Sequence, residues 1–359
     1  MIEPQVWQIA CGETGRKYED LFFDHNIMFL GPGRFGPFGE SNYRWRAKKG
    51  QISNNRLGMI RRFAEEVQPG DIVLLRFGHN VISMGLVAEQ EYFWSEIFDD
   101  VYGWDLQHVR RIIWQSQLDK NLKEIQKKGD LFKNRKQIPT FTKVADNTIL
   151  EPIRHLFDQC IDKKLQDIML RPQDLLSLEE FSELLFAKGL SYDAVHRVKT
   201  TIEKQQQLLK WYNKGLSPNR PSEHEIVAHI ILPLMHALGW SEQLLAVEWH
   251  KIDLAVFWKT PTEKNNCKLI CEAKAFGKGM QKVVEQAKNY YKKHKLDKCN
   301  KILVADGGRF YLYRKGSIKW EANPSGYMNL LKLRTDHLCP SGTSAVDTLI
   351  ALTPSHVAQ

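Results

Sequence analysis

Asp253 lies in the apolar run Lys251-Ile-Asp-Leu-Ala-Val-Phe257, and Glu272 and Lys274 lie in a second, Lys268-Leu-Ile-Cys-Glu-Ala-Lys274. Side chains alternate across a strand, so Glu272 and Lys274 share a face. Two carboxylates and an amine at one sheet edge suit a hard cation held beside a phosphodiester. Mg²⁺ takes oxygen ligands, commonly one or two carboxylates with water and substrate phosphate. A bound cation lowers the pKa of water and neutralises charge that develops at phosphorus. The expected cofactor is Mg²⁺ or Mn²⁺, with Asp253 and Glu272 as ligands. Neighbouring carboxylates favour a charged amine over a free base, so Lys274 is expected to orient water and stabilise charge.

A third acid is expected from the preceding helix, read over residues 222–238. Projected at about 100° per residue, Ile226, Val227, Ile230, Ile231, Leu234 and Leu238 fall on the side of Glu223. Glu225 falls on the opposite side and suits a capping box with Ser222. Glu223 is therefore the candidate catalytic and metal-ligating acid. Gln286, on the helix read over 280–293, is placed to orient a water or a phosphate oxygen.

The elements around these residues follow the order helix, strand, strand, helix, strand, strand, with strands over 246–258, 268–275, 301–305 and 309–314. This alternation implies an α/β layer with a mixed sheet. The signal weakens after Trp320, and residues 335–359 read as a loosely packed tail. Residues 1–117 read as β-rich, with strands near 5–10, 72–77, 81–88 and 109–114, a helix over 54–67, and turns at Pro69-Gly-Asp71 and Gly78-His-Asn80. Short strands with such turns suggest a small barrel. Between them, 118–220 reads as a helical connector, with helices over 117–128, 181–188 and 195–211. The domain reading is 1–117, 118–220, 221–320 and a C-terminal extension, 321–359.

The chain has 359 residues, with 51 Lys plus Arg against 42 Asp plus Glu, a formal net charge of +9. That balance suits a polyanionic partner. Six cysteines without a CxxC pair point away from zinc and towards reduced thiols in the cytoplasm. The longest apolar run, 226–240, contains His229, Pro233 and His236 and is too short for a membrane span. A leader is not expected.

The N-terminal region offers aromatic and basic residues around the loop Gly31-Pro-Gly-Arg-Phe-Gly-Pro-Phe-Gly39. Trp7, Arg34, Phe35, Phe38, Trp45, Trp94 and Trp104 are the candidates for contacting nucleic acid or a modified base. Aromatic faces stack nucleobases, and an aromatic pocket can hold a base rotated out of the duplex.

Ser222-Glu-His-Glu225, Leu232-Pro-Leu-Met-His-Ala-Leu-Gly-Trp240, Lys251-Ile-Asp-Leu254, Cys271-Glu-Ala-Lys274 and Glu285-Gln-Ala287 resemble the PD-(D/E)xK nuclease superfamily. Within it they resemble the restriction-endonuclease branch found in the motor subunits of type I restriction enzymes. The resemblance implies that Asp253 and Glu272 bind metal, that Lys274 is catalytic, and that Glu223 and Gln286 assist. Val6-Trp-Gln-Ile9, Pro69-Gly-Asp-Ile-Val-Leu-Leu-Arg76 and Ser83-Met-Gly-Leu-Val87 resemble a PUA-like domain of the EVE or YTH kind, which implies recognition of modified bases. The combined expectation is an α+β multidomain protein: a PUA-like β-barrel, a helical middle and an α/β nuclease fold. It resembles a type IV, modification-dependent restriction enzyme acting on base-modified DNA in anti-phage defence. Cleavage of both strands implies a homodimer, with the helical middle as its interface. No GxxxxGK[ST] loop is present, so no nucleoside triphosphate is expected to be required. Two alternatives are an RNase acting on modified RNA and a reader without catalysis.

Overall fold

The computed structural model describes residues 3–13, 16–89, 91–115, 138–145, 150, 153, 174–214, 221–275 and 281–358. Two compact units emerge, Met1–Pro172 and Gln173–Gln359. The protein is of mixed α and β character in both.

In the first unit, β1 (Val6–Ala10), β4 (Ile27–Leu30), β5 (Ile72–Phe77), β6 (Asn80–Val87), β8 (His108–Gln115) and β9 (Phe141–Lys143) form a curled, open sheet. Its order is β4-β8-β6-β5-β1-β9, with β7 (Phe93–Trp94) paired to β8. A separate hairpin joins β2 (Gly12–Glu13) to β3 (Arg16–Lys17). β1 runs parallel to β5, and the other pairs are antiparallel. Among the described residues the path ends at β4 and β9, so the expected barrel is seen as an open sheet. Gly78 (φ 60°) opens the two-residue turn between β5 and β6, where a positive φ matches the strand twist. The buried Asp71 explains the Pro69-Gly-Asp71 turn. Its carboxylate accepts from the backbone N–H of Gln5 and Gln68 (both 2.9 Å) and from Trp7 Nε1 (2.8 Å), tying the turn to β1. Among the described residues the unit also has helices α1 (Glu19–Asp24), α2 (Glu40–Lys48) and α3 (Asn54–Arg61), and α3 continues as a π-turn over Arg62–Glu66.

The second unit has a six-stranded sheet in chain order: β10 (Leu245–Trp249), β11 (Ile252–Phe257), β12 (Cys267–Ala273), β13 (Lys301–Ala305), β14 (Arg309–Arg314) and β15 (Gly326–Asn329). Only the β12–β13 pair is parallel. Its helices are α4 (Leu178–Ala187), α5 (Tyr192–Lys214), α6 (Glu223–Ile226), α7 (Leu232–Ala237), α8 (Gln281–His294), α9 (Ala345–Ile350) and α10 (Pro354–Ala358). A π-turn over Val227–Ile231 joins α6 to α7. Helix α8 makes the crossover from β12 to β13, and Val283, Val284 and Ala287 are its buried side chains. On the other sheet face, Leu254, Val256, Leu269, Cys271, Leu303 and Leu312 share one core with apolar residues of α4, α5, α6, α7 and α9.

Three expectations change. The stretch 246–258 is a hairpin rather than one strand. His250 and Lys251 take positive φ (52° and 71°), and Trp249 pairs with Ile252 across the turn. The segment 335–359 is not a loose tail: Ala345, Leu349, Leu352 and Val357 are fully buried, and Trp240 Nε1 donates to the Leu352 carbonyl (2.8 Å). In the stretch read as a connector, α4 and α5 bury Phe181, Leu185, Val198, Ile202 and Leu209 in the second unit's core. The helix expected over 117–128 lies outside the described residues. Cys11, Cys267, Cys271, Cys299 and Cys339 are buried. No helix among the described residues is long and apolar enough to cross a membrane.

Candidate active site

The β11–β12 register pairs Leu254 with Cys271, on the face that packs into the helical core. Continuing that register by one residue sets Asp253 across from Glu272 on the opposite face. The Ala273 N–H donates to Asp253 Oδ2 (2.7 Å) and locks the acid against β12. Glu272 is 1% exposed. Its Oε2 accepts from Gln286 Nε2 (3.0 Å), and its Oε1 is buried without a hydrogen-bond partner. Lys274 Nζ pairs with Glu223 Oε1 (2.9 Å). Ser222 and Glu225 close a reciprocal capping box, which leaves Glu223 to reach the lysine.

Electrostatics tie the group together. Burial raises the Asp253 carboxyl above its usual range, with Glu248 and Glu223 adding to the effect, while the Ala273 N–H and Lys274 oppose it. Burial and the Asp253 charge push Glu272 up to about 8, again against the Lys274 ammonium. Two acids facing one another across a strand pair, one of them sealed, repel when both are ionised. A cation between them would relieve that repulsion.

All five expected residues thus gather at one end of the sheet, in two parts. Asp253, Glu272 and Gln286 form one part, and Lys274 with Glu223 forms the other. Among the described residues no group of three or more His, Cys, Asp or Glu is arranged around a metal position. Glu223, expected as a third ligand, pairs with Lys274. Sequence reading missed Glu248, which lies with Asp253 between the Val247–Leu254 and Trp249–Ile252 pairs of the β10–β11 register and contacts His224 Nδ1 (3.2 Å). It also missed Tyr290, whose hydroxyl accepts from Gln286 Nε2 (3.3 Å). The i, i+4 spacing of Gln286 and Tyr290 was the available signal.

In the first unit, Trp7 is fully buried, stacks on Phe141 (5.2 Å) and is bonded to Asp71, so it is core and not a ligand platform. The half-buried Trp94 donates through Nε1 to the Gly33 carbonyl (2.8 Å) and braces the loop. The half-buried Trp104 meets Tyr18 edge-on at 5.7 Å. The remaining four candidates surround the loop's outer side. Arg34 lies over Phe35 (5.0 Å) and reaches Asp105 (3.7 Å). Arg46 lies over both Phe35 (5.0 Å) and Trp45 (4.8 Å), and Phe38 packs on Tyr43 (5.3 Å). Trp45, 49% exposed, presents the largest open ring of this set.

The loop hangs on His108, which the sequence reading did not single out. The buried imidazole Nε2 is 3.1 Å from the Pro32 carbonyl and 3.0 Å from the Tyr43 hydroxyl, which in turn donates to Gly36 O (2.8 Å). Nδ1 is 2.7 Å from the Tyr92 hydroxyl, which accepts from the Phe38 N–H (2.9 Å). A carbonyl only accepts, so this network assigns the neutral Nε2–H tautomer, with Nδ1 accepting from Tyr92. Burial lowers the imidazole to about 4 in agreement, against the opposing bond to Pro32.

The family described as a domain of unknown function (DUF8426) matches residues 7–136. That stretch runs through β8 and ends before the acids of the second unit. No curated protein matches the chain.

Proposed function

We propose that the second unit is a divalent-cation-dependent nuclease of the PD-(D/E)xK kind, and that the first is a PUA-like reader of modified bases. The substrate assigned is base-modified DNA, and the role is restriction of foreign DNA. The observation that carries this reading is the sealed Glu272 Oε1, which lacks a partner and stands across the strand pair from Asp253. A buried oxygen without a partner costs stability, and a metal ligand position accounts for it. Two carboxylates fit Mg²⁺, which usually retains several waters. Asp253 and Glu272 would hold the ion, which would supply Lewis-acid stabilisation of the phosphate.

The remaining steps belong to the chain. Hydrolysis joins a water oxygen to phosphorus and breaks the bond to the leaving sugar oxygen. Negative charge grows on the phosphoryl oxygens, and the Lys274 ammonium, fixed by Glu223, is the group assigned to stabilise it. Gln286 holds the Glu272 carboxyl in orientation. A homodimer would bring two such sites to the two strands of one duplex.

The test uses the full chain with Mg²⁺ or Mn²⁺ on phage DNA carrying plain, methylated, hydroxymethylated or glucosylated cytosine, with matched RNA. Cutting of a modified DNA in preference to the plain form is expected. Lys274→Ala should slow cutting roughly 10²- to 10³-fold, the scale of losing one charge-stabilising donor, while DNA binding persists. Unchanged cutting by that variant rejects the site, and cutting confined to RNA reassigns the substrate.

A further inference from the structure

The crossover helix α8 carries a row of side chains away from the acids. Gln286, bonded to Glu272, also donates to Tyr290 (3.3 Å). Tyr290 packs on His294 at 6.1 Å, and His294 stacks on His250 at 5.2 Å and 25°. His250 meets Trp249 edge-on at 4.4 Å, and Trp249 rests on Phe257 at 5.2 Å. At the end of this row lies a cleft of about 410 Å³ lined by Trp249, His250, Thr262, Glu263, Lys264 and Asn265.

Both walls are built. One wall is the β10–β11 turn, where His250 and Lys251 hold positive φ that non-glycine residues adopt at a cost. The other is fixed by the buried Asn266, whose Nδ2 donates to the Pro261 carbonyl (2.9 Å) and whose N–H donates to Glu263 O (2.9 Å). The neighbourhood is cationic: burial lowers His294, and the charges of His250, Lys293 and Lys264 lower it further. His294 Nε2 is buried without a hydrogen-bond partner.

We propose that this cleft is a nucleobase subsite for the DNA strand that passes the acids, a reading that rests on the nuclease assignment. An unpaired base seats its ring against Trp249 and His250 and turns its polar edge to Thr262, Glu263 and Asn265. Lys264 meets the flanking phosphate. Aromatic faces with a few convergent polar groups are how proteins hold an unstacked base. The row through Tyr290 and His294 links His250 of the cleft to Gln286 beside Glu272. This subsite is separate from the aromatic loop of the first unit and would grip the strand near the cut.

The probe is single-stranded DNA containing 2-aminopurine, whose emission falls on stacking. It is titrated with the full chain carrying Asp253→Asn, so that binding is read without cutting. Quenching is expected. His250→Ala, on the exposed turn, and Asn265→Ala, on the opposite wall, should each relieve it. His250→Ala should also weaken binding roughly 5- to 150-fold, the loss brought by removing one stacking contact. Trp249→Ala should do the same, with circular dichroism reporting whether the fold holds. In the cutting-competent chain, His250→Ala should raise KM and leave kcat unchanged. If quenching, affinity and KM are all unchanged in His250→Ala and Asn265→Ala while the parent chain cuts DNA, the subsite is overturned and the nuclease reading stands. If the parent never cuts but both variants lose quenching, the nuclease reading falls and the base-binding cleft stands. Tighter binding of the matched RNA overturns the DNA assignment.

Discussion

At the scale of single residues, Glu272 is the acid on which the proposed chemistry turns. Its carboxyl is held at about 8 by burial and by the Asp253 charge, so near neutral pH it is protonated in the metal-free chain. A cation needs the carboxylate, so binding must expel that proton. Mg²⁺ or Mn²⁺ affinity should therefore rise about tenfold per pH unit below about 8 and level off above it. Calorimetry in two buffers of different ionisation heat should find about one proton released per cation at pH 7. Release of none would show that Glu272 is not a ligand. Stability gives the complementary sign. The folded value lies above the ordinary 4.5, so Glu272 favours the metal-free fold at low pH. That contribution is lost as pH rises through about 8, and the cation should restore it. Asp253, Glu272 and Lys274 were legible because strand alternation fixes which side chains share a face. The pairing of Lys274 with Glu223 was not, because where a long side chain ends depends on which helix terminus reaches it in space.

At the scale of elements, His108 gives the first unit's loop a pH-dependent anchor. Its folded value, about 4, lies below the ordinary 6.5. The unfolded chain therefore binds the extra proton in that window, and stability is full above about 6.5 and falls as pH drops towards about 4. The loss amounts to about 3 kcal/mol. Melting of the full chain against pH should show this slope in wild type and lose it in His108→Gln. Because Glu272 titrates in both proteins, the difference between the two curves isolates the imidazole. Equal slopes would remove His108 as the anchor. The strands over β5, β6, β8, β13 and β14 were readable, since each is a short apolar run bounded by turn residues. The β10–β11 hairpin was hidden because its turn is His250-Lys251, without the Gly or Asn that a positive φ usually demands. Trp7 was misread because in sequence a tryptophan looks alike in a core and in a pocket. Only the distant Asp71 shows its indole N–H to be already satisfied. The C-terminal helices escaped notice because Ala345–Ile350 is too short to show a period, and tertiary burial alone makes it core.

At the scale of the whole molecule, the excess of 51 basic over 42 acidic residues overstates the charge free to meet a polyanion. Arg76 donates to Gly78 O and Pro139 O, Arg110 to Phe63 O and Ala64 O, and Lys301 to His356 O, all from buried positions. These cations hold strands and helix ends together. Arg34 and Lys264 are of the other kind: exposed, and set beside aromatic rings in the first and second unit respectively. If both units engage one DNA, each neutralises phosphate, and counterion release makes the contributions add. Affinity for a modified duplex should then fall roughly 10³-fold or more between about 50 and 200 mM salt, as for about six phosphate contacts. Arg34→Ala and Lys264→Ala should each reduce the slope of log K against log salt by about 0.9, and together by about twice that. Trp45→Ala, which removes a ring and no charge, should weaken binding and leave the slope unchanged. Fluorescence anisotropy across a salt series separates these cases. If one of the two charge variants is silent, its unit does not contact the duplex. A flat salt dependence in the parent chain would be incompatible with DNA as the substrate, since cations that neutralise phosphates must release counterions.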